Sequence, residues 1–321
     1  MIERKKKIGI VCCSNGMKRS YSTKIKALEE ALLSIGLRPV FSDYIYEKSN
    51  VYSSTGKERA RALMNFYSDD EIEEIFDISG GDLANGILPY LDYEVIANSK
   101  KRFWGYSDLT TVLNAIYAKT EKPSVLYQIR NIISEYKEQQ MADVKYALND
   151  GSAYLFKLRY QFVQGSHMRG IVIGGNIRCF LKLAGTEYMP DFQDKILLLE
   201  SRSGLVPQME TYLTQLQQLG AFDKIAGILL GTFTQMEENR EMQISRFDAE
   251  GGNTALPQES LFDYPTMADL IRGYVDENMP IAVTKDIGHG KDAKAIVIGQ
   301  HLEMTLHIRQ PFEIRNNETG I

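Results

Sequence analysis

The chain has 321 residues, 44% of them hydrophobic and 25% charged, and a formal net charge of −5. That length suits two domains, and the composition supplies ample material for buried cores. The acidic balance argues against nucleic acid as the main partner, because phosphate binding needs a basic surface; the basic run Arg4 to Lys7 reads as a solvated leader.

Cys12 and Cys13 are adjacent in an apolar run and Cys179 stands apart, which gives neither a disulfide framework nor a CxxC metal spacing. They read as small core residues in a reducing compartment. No apolar run approaches the roughly 20 residues of a membrane span. The N-terminus has no signal-peptide cleavage pattern. A cytoplasmic protein without a membrane partner is expected.

Ile8 to Cys13 is a continuous apolar run, as in a strand buried on both faces, and Ser14-Asn15-Gly16 follows as a turn. Ile25, Leu28, Leu32 and Ile35 then recur at helical spacing ahead of Gly36. Strands are expected at Pro39 to Phe41 and Ile75 to Ile78, with a helix over Glu58 to Tyr67 between them. Ser79-Gly80-Gly81-Asp82 follows, then a helix through Leu91 interrupted near Pro89. Arg102 to Trp104 is a short buried strand that ends at Gly105-Tyr106-Ser107-Asp108, and a helix runs on to Tyr117. Strands alternating with helices imply a parallel sheet covered on both faces. Ligands of such sheets sit beyond the carboxyl ends of the strands. The turns at Ser14 to Gly16, Gly80 to Asp82 and Gly105 to Asp108 all fall at those ends.

Ile132 to Leu148 reads as a polar helix broken by Asn149-Asp150-Gly151-Ser152. This places an α/β domain over 1–150, a crossing segment over 151–169 and a C-terminal mixed α+β domain over 170–321. Within the last, Gly170 to Gly174 starts a strand, Gly175-Asn176 turns into a helix through Leu183, and Lys195 to Leu199 is a buried strand ending in Glu200. Met209, Leu213, Leu216 and Leu219 mark an amphipathic helix. Ile225 to Gly231 and Pro280 to Val283 read as strands, with a helix over Thr266 to Val275. The polar stretch Gln235 to Ser260 reads as a long loop, a candidate flap. Gly288-His289-Gly290 follows the strand at Pro280 to Val283, and strands at Ala295 to Gly299 and Met304 to Ile308 close the chain.

Ser107 is open to two roles, a helix cap or a nucleophile held at a helix N-terminus. Gly80-Gly81 is either a tight turn or a place where backbone N–H groups approach a ligand. Glu200 is either a solvated strand end or a carboxylate held by a partner. His167, His301 and His307 read as surface or packing residues, whereas His289, flanked by glycines in a loop, points to acid–base work or ligand contact. Dinucleotide, P-loop and metal-binding patterns are missing from the sequence, so no cofactor and no metal are expected. Ser107, Glu200 and His289 follow the serine, acid, histidine order of α/β-hydrolases, although G-Y-S-D-L lacks the second glycine of their nucleophile turn.

SGGDLANGILPYLDYEVI (79–96), FWGYSDLT (103–110), GGNIRCFLKLAGTEYMPDFQDKILLLE (174–200), LTQLQQLGAFDKIAGILLGTF (213–233) and IGHGKDAKAIVIG (287–299) together resemble the LD-carboxypeptidase family of serine peptidases, which includes the microcin C immunity peptidases. The resemblance spans roughly Ile8 to Ile308. It implies a nucleophile at Ser107, an acid at Glu200, a base at His289, a homodimer, and cleavage before a terminal D-residue, typically D-Ala, in muropeptides. The backbone N–H groups of Gly81 and Asp108 are expected to meet the oxyanion, with Gly80, Asp82 and Tyr106 at the substrate. A free terminal carboxylate also has to be recognised, by turn N–H groups or by a nearby Arg or Lys. Two stretches depart from the family's pattern. Asp82 to Gly86 lacks an arginine, and Leu126-Tyr127-Gln128-Ile129-Arg130 stands where many members carry His-Gly-Pro. A peptidyl-nucleotide substrate is the second reading, with Trp104 or Gln235 to Ser260 as places for a base-stacking platform. A silent binding protein for cell-wall peptides or nucleotides is the third.

Overall fold

Two six-stranded sheets organise the computed structural model, which describes residues 6–149, 154–249 and 264–306. The chain opens with β1 (Lys6–Val11), α1 (Ser22–Ser34), β2 (Leu37–Phe41), α2 (Gly56–Ser68), β3 (Ile72–Asp77), α3 (Tyr93–Asn98), β4 (Arg102–Gly105), α4 (Thr110–Thr120), β5 (Ser124–Leu126) and α5 (Lys137–Asn149). It continues with β6 (Gln161–Gln164), β7 (His167–Asn176), α6 (Ile177–Phe180), β8 (Lys195–Ser201), α7 (Val206–Gln218), β9 (Gly227–Phe233) and α8 (Thr234–Ala249). Then come α9 (Met267–Arg272), β10 (Ile281–Val283), β11 (Ile296–Ile298) and β12 (His301–Thr305).

The first sheet runs β11-β5-β4-β3-β1-β2, parallel except for the antiparallel edge strand β11. Its side chains alternate between two cores. Ile8 and Ile10 of β1 pack with Leu28 and Leu32 of α1, whereas Val11 and Ile75 pack with Leu63 of α2 and Val112 of α4. All eight are buried, and each is worth about 1.5–3 kcal/mol over leaving it in water. The second sheet runs β12-β7-β8-β9-β10-β6, with a parallel centre, β7 to β10, and antiparallel edges. Ile173, Leu197, Leu199 and Ile228 of its centre pack against Leu213 and Leu216 of α7.

The division into α/β and mixed α+β parts agrees with the sequence expectation, with two differences in detail. The stretch read as a crossing segment supplies β6 and the start of β7 to the second sheet. β11, late in the chain, returns to the first sheet beside β5. Its alternation of Ile296, Val297 and Ile298 is what an edge position demands, with only the two isoleucines buried.

Thr234–Ala249 corrects the loop expected over Gln235 to Ser260; it is the helix α8, and 250–260 lie outside the described residues. Its polar faces hide any apolar stripe. The helix starts because Glu237 accepts the Phe233 backbone N–H at 2.9 Å while Met236 is buried beneath it. The helix expected through Leu91 is a 3-10 turn, Ala84–Tyr90, that contains Pro89 and stops ahead of α3.

Candidate active site

Ser107 sits where β4 gives way to α4. Its backbone is left-handed, with φ of 55°, a conformation that few side chains adopt without a reason. Gly105 makes the bend possible, since a Cβ there would lie 2.6 Å from Cβ of Leu109. The cap reading of Ser107 fails. The 3-10 turn Ser107–Leu109 and α4 begin without any side-chain cap, and the serine hydroxyl turns away from both. It lies 3.3 Å from Nε2 of His289.

Nδ1 of His289 lies 2.8 Å from Oε2 of Glu200. A carboxylate only accepts, so Nδ1 carries the proton and Nε2 is left as the acceptor facing the serine. Glu200 is fully buried at the end of β8, and its Oε1 has no partner among the described residues. The surface-glutamate reading is therefore excluded, and the imidazole is the carboxylate's hydrogen-bond partner among the described residues. Tyr106 packs its ring 4.6 Å from the His289 ring, which holds the imidazole from the side. Burial pushes the Tyr106 phenol well above its ordinary pKa, and the Glu200 charge adds to this.

The alignment of these groups follows from how the two sheets meet. Asn114 and Thr110 of α4 bond to Gly174 and Asn176 of β7. In the parallel register Asn176 stands beside Glu200 on β8. Thr232, at the end of β9, donates its backbone N–H to the Ile287 carbonyl at 2.9 Å, which fixes the loop that presents His289. The helix that begins at the serine is thus tied to the strands that carry the acid and steer the histidine.

Ser107 and His289 line a cleft of about 480 Å³ together with Asn15, Gly80, Gly81 and Asp82. All of these follow strand ends, as sheet topology requires. A Cβ on Gly80 would come within 3.9 Å of Ser107 Cβ, so this turn lies against the serine. Gly81 has φ of 121°, and a Cβ there would meet the Asn15 side chain at 2.3 Å; only glycine fits. The backbone N–H groups of Gly81 and Asp108 have no partner among the described residues, which leaves both free to donate.

The Asp108 side chain is a staple. It is fully buried and accepts from Ser14 Oγ at 2.6 Å, the Ala84 N–H at 2.8 Å and Lys182 Nζ at 2.5 Å. Asp82 is paired with Arg178 at 2.5 Å, and that arginine also donates to the Gly81 carbonyl at 3.0 Å. Arg178 and Lys182 were not singled out from sequence. Their signal was two cations one helical turn apart just after Gly174-Gly175-Asn176, where each reaches an acid about 70 to 100 residues earlier in the chain.

Other candidates resolve into structural roles. Trp104 is no platform. It is sealed in the core against Phe76, and its indole N–H donates to Glu74 at 2.8 Å. His167 lies on β7 beside Glu303, His301 begins β12, and His307 lies outside the described residues. Burial pushes the Cys12, Cys13 and Cys179 thiols up, which suits inert core residues.

Two packed sheets with a serine, an imidazole and a carboxylate in series at their shared edge define a site of the serine-peptidase type. Family models described as LD-carboxypeptidase N-terminal domain and LD-carboxypeptidase C-terminal domain match residues 8–127 and 169–304. The chain belongs to the LD-carboxypeptidase family. A putative carboxypeptidase of Treponema pallidum is 25% identical over 319 residues, covering 92% of each chain. The microcin C7 self-immunity protein MccF of Escherichia coli is 29% identical over 217 residues, 57% of this chain and 63% of that one. Among solved structures, MccF in complex with glutamyl sulfamoyl guanosine superposes with a TM-score of 0.73 at 20% identity, covering 95% and 97% of the two chains. Muramoyltetrapeptide carboxypeptidase from Oxalobacter formigenes gives 0.72 at 20% identity, covering 94% and 95%. At that identity the two likenesses concern the fold.

Proposed function

We propose that the protein is a serine LD-carboxypeptidase that cleaves the bond before a terminal D-amino acid, D-Ala, in muropeptide tetrapeptides. The observation that carries this reading is the series Ser107 Oγ to His289 Nε2 at 3.3 Å and His289 Nδ1 to Glu200 Oε2 at 2.8 Å. His289 takes the serine proton as Oγ attacks the carbonyl carbon. Glu200 fixes the imidazole and stabilises its charged form. The oxyanion meets the N–H groups of Gly81 and Asp108, and losing one such donor costs about 3 kcal/mol of transition-state stabilisation. His289 then protonates the leaving amine, and water attacks the acyl-enzyme by the same route. Gly80, Asp82 and Tyr106 border the substrate.

The same reading places the nucleophile in an N-terminal domain and the acid and histidine in a C-terminal one, supported by the separate family matches. It makes the protein a cytosolic homodimer acting in peptidoglycan recycling, supported by the family resemblance; among the described residues no helix is long and apolar enough to cross a membrane.

The likeness to MccF favours one second reading, hydrolysis of aminoacyl or peptidyl nucleotides. A nucleobase needs an aromatic surface. Tyr21 and Tyr106 are the aromatic residues among those lining the cleft, and Tyr106 is buried against His289. Tyr21 is exposed at the cleft and is the residue on which this second reading would rest.

Release of D-Ala from a disaccharide tetrapeptide, wild type against Ser107→Ala, tests the reading. Release by wild type alone is expected. Equal release by both would overturn the serine's role, and release by neither turns the test to aminoacyl sulfamoyl nucleosides. Labelling of Ser107 by a serine-reactive phosphonate counts against a silent binding protein.

A further inference from the structure

The described cleft residues include four cations, Lys18, Arg130, Arg178 and Arg202, against the acids Glu47 and Asp82. Asp82 is already taken by Arg178. In a chain of net charge −5 this is a locally cationic site, suited to an anionic ligand. Lys18 and Arg202 are exposed, so water already solvates them. Arg130 differs, being half-buried on the short 3-10 turn Ile129–Ile133 that follows β5.

Its surroundings prepare it for a ligand. Oε1 of Gln128 accepts both the Arg130 backbone N–H at 3.2 Å and its Nε–H at 3.1 Å. That pins the guanidinium by one edge. No carboxylate pairs with it among the described residues, and its two terminal nitrogens are left as an open fork. Burial holds the guanidinium below its ordinary pKa, while the negative charge of Asp77 acts in the opposite direction. The turn is also registered to the histidine loop, because Asn131 Nδ2 donates to the Gly290 carbonyl at 3.4 Å.

We propose that Arg130 binds the free carboxylate of the substrate's terminal residue through its two terminal nitrogens, and so makes the site select chain ends. A planar fork matches a carboxylate in two parallel hydrogen bonds, and the ligand supplies the anion that the half-buried cation lacks. This rests on the peptidase reading for the identity of the substrate. It also gives a role to the Leu126 to Arg130 stretch, where the sequence departs from the family's His-Gly-Pro pattern.

The experiment is calorimetric binding to the Ser107→Ala protein, which does not consume its ligand. The probes are the disaccharide tetrapeptide and its C-terminal amide. The acid is expected to bind about 100-fold tighter than the amide, the scale of one desolvated charge pair. Adding Arg130→Met is expected to abolish the preference, and Arg130→Gln repeats the comparison should methionine lower the unfolding midpoint. Equal binding of acid and amide, binding of neither, or a preference that survives both Arg130 variants would overturn the proposal. D-Ala release by the wild type is scored separately. Acid preference without release would remove the peptidase reading and keep the carboxylate site, whereas release without acid preference would do the reverse.

Discussion

Asn114 of α4 and Gly174 of β7 exchange two hydrogen bonds, each 2.8 Å, from Nδ2 to the carbonyl and from the backbone N–H to Oδ1. The side chain imitates a neighbouring strand. β12 pairs with β7 only as far as Ile171, so Gly174 has an open edge there that Asn114 closes. Asn114→Leu leaves a buried donor and acceptor bare. A loss of about 2–6 kcal/mol in unfolding free energy is expected from urea denaturation, at about 1–3 kcal/mol for each orphaned group. A larger effect is expected on D-Ala release, because the serine helix loses its registry with the acid strand. An unchanged urea midpoint would contradict this account.

That pair shows what sequence patterns carry. The strand expected at Ile8 to Cys13, observed as Lys6–Val11, the turn at Gly80-Gly81 and the bend at Ser107 are local and were legible. Ser107, Glu200 and His289 were each visible as candidates and the resemblance grouped them, and the structure brings the three side chains together. Asn114 was not, because it is one polar residue in an apolar helix and its partner lies 60 positions later. The same holds for Asp108 with Lys182, 74 positions apart. The cap reading of Ser107 was sound local chemistry that a tertiary contact overrode. α8 was missed because periodicity registers apolar stripes, and a helix stabilised by a capping glutamate and one buried methionine has none.

Ser107→Ala, His289→Ala and Glu200→Gln are each expected to lower kcat by on the order of 10³- to 10⁵-fold, and the triple variant to be no slower than Ser107→Ala alone. Alanine at 107 bears the same left-handed backbone strain as serine. Its unfolding midpoint should therefore match wild type, which isolates the hydroxyl as the cause. In Glu200→Gln the amide can donate to Nδ1 and favour the wrong tautomer, so loss should occur with the imidazole still in place. Steady-state kinetics of D-Ala release decides it. Losses that multiply across the variants would mean the groups do not act as a unit.

Tyr106 separates ring from hydroxyl. Its Oη is buried with no partner among the described residues while its ring lies against His289. Tyr106→Phe removes a polar atom that gains nothing from the fold, so stability is expected to hold or rise by about 1 kcal/mol. D-Ala release should stay within about twofold on the same argument. Tyr106→Ala opens a cavity beside the imidazole, with a stability loss of about 3–5 kcal/mol expected. A tenfold drop in kcat/KM for the phenylalanine variant would assign the hydroxyl to the substrate instead.

Acid reaches the cleft turns through the start of α2. Thr55 and Glu58 form a capping box at the start of that helix, with Thr55 Oγ1 accepting the Glu58 N–H at 3.2 Å and Glu58 Oε2 accepting the Thr55 N–H at 3.1 Å. Bonds from the Ser54 and Thr55 hydroxyls and the Thr55 N–H bring the Glu58 pKa down from 4.5 to about 2. The next residue, Arg59, is buried and donates to the carbonyls of Cys13, Ser14 and Leu83, which tie the turns beside Gly80 and Gly81 to α2. Because the folded pKa is depressed, the unfolded chain binds more protons between pH 4.5 and about 2, and stability rises with pH across that window. The contribution of Glu58 is therefore complete above pH 4.5 and lost as pH falls toward about 2. Glu58→Gln keeps a neutral cap and removes the titration. Its Tm is expected to lie below wild type at pH 6 and to converge on it as the buffer approaches pH 2. A Tm difference independent of pH would show that shape alone, and not the carboxylate, anchors this end of α2.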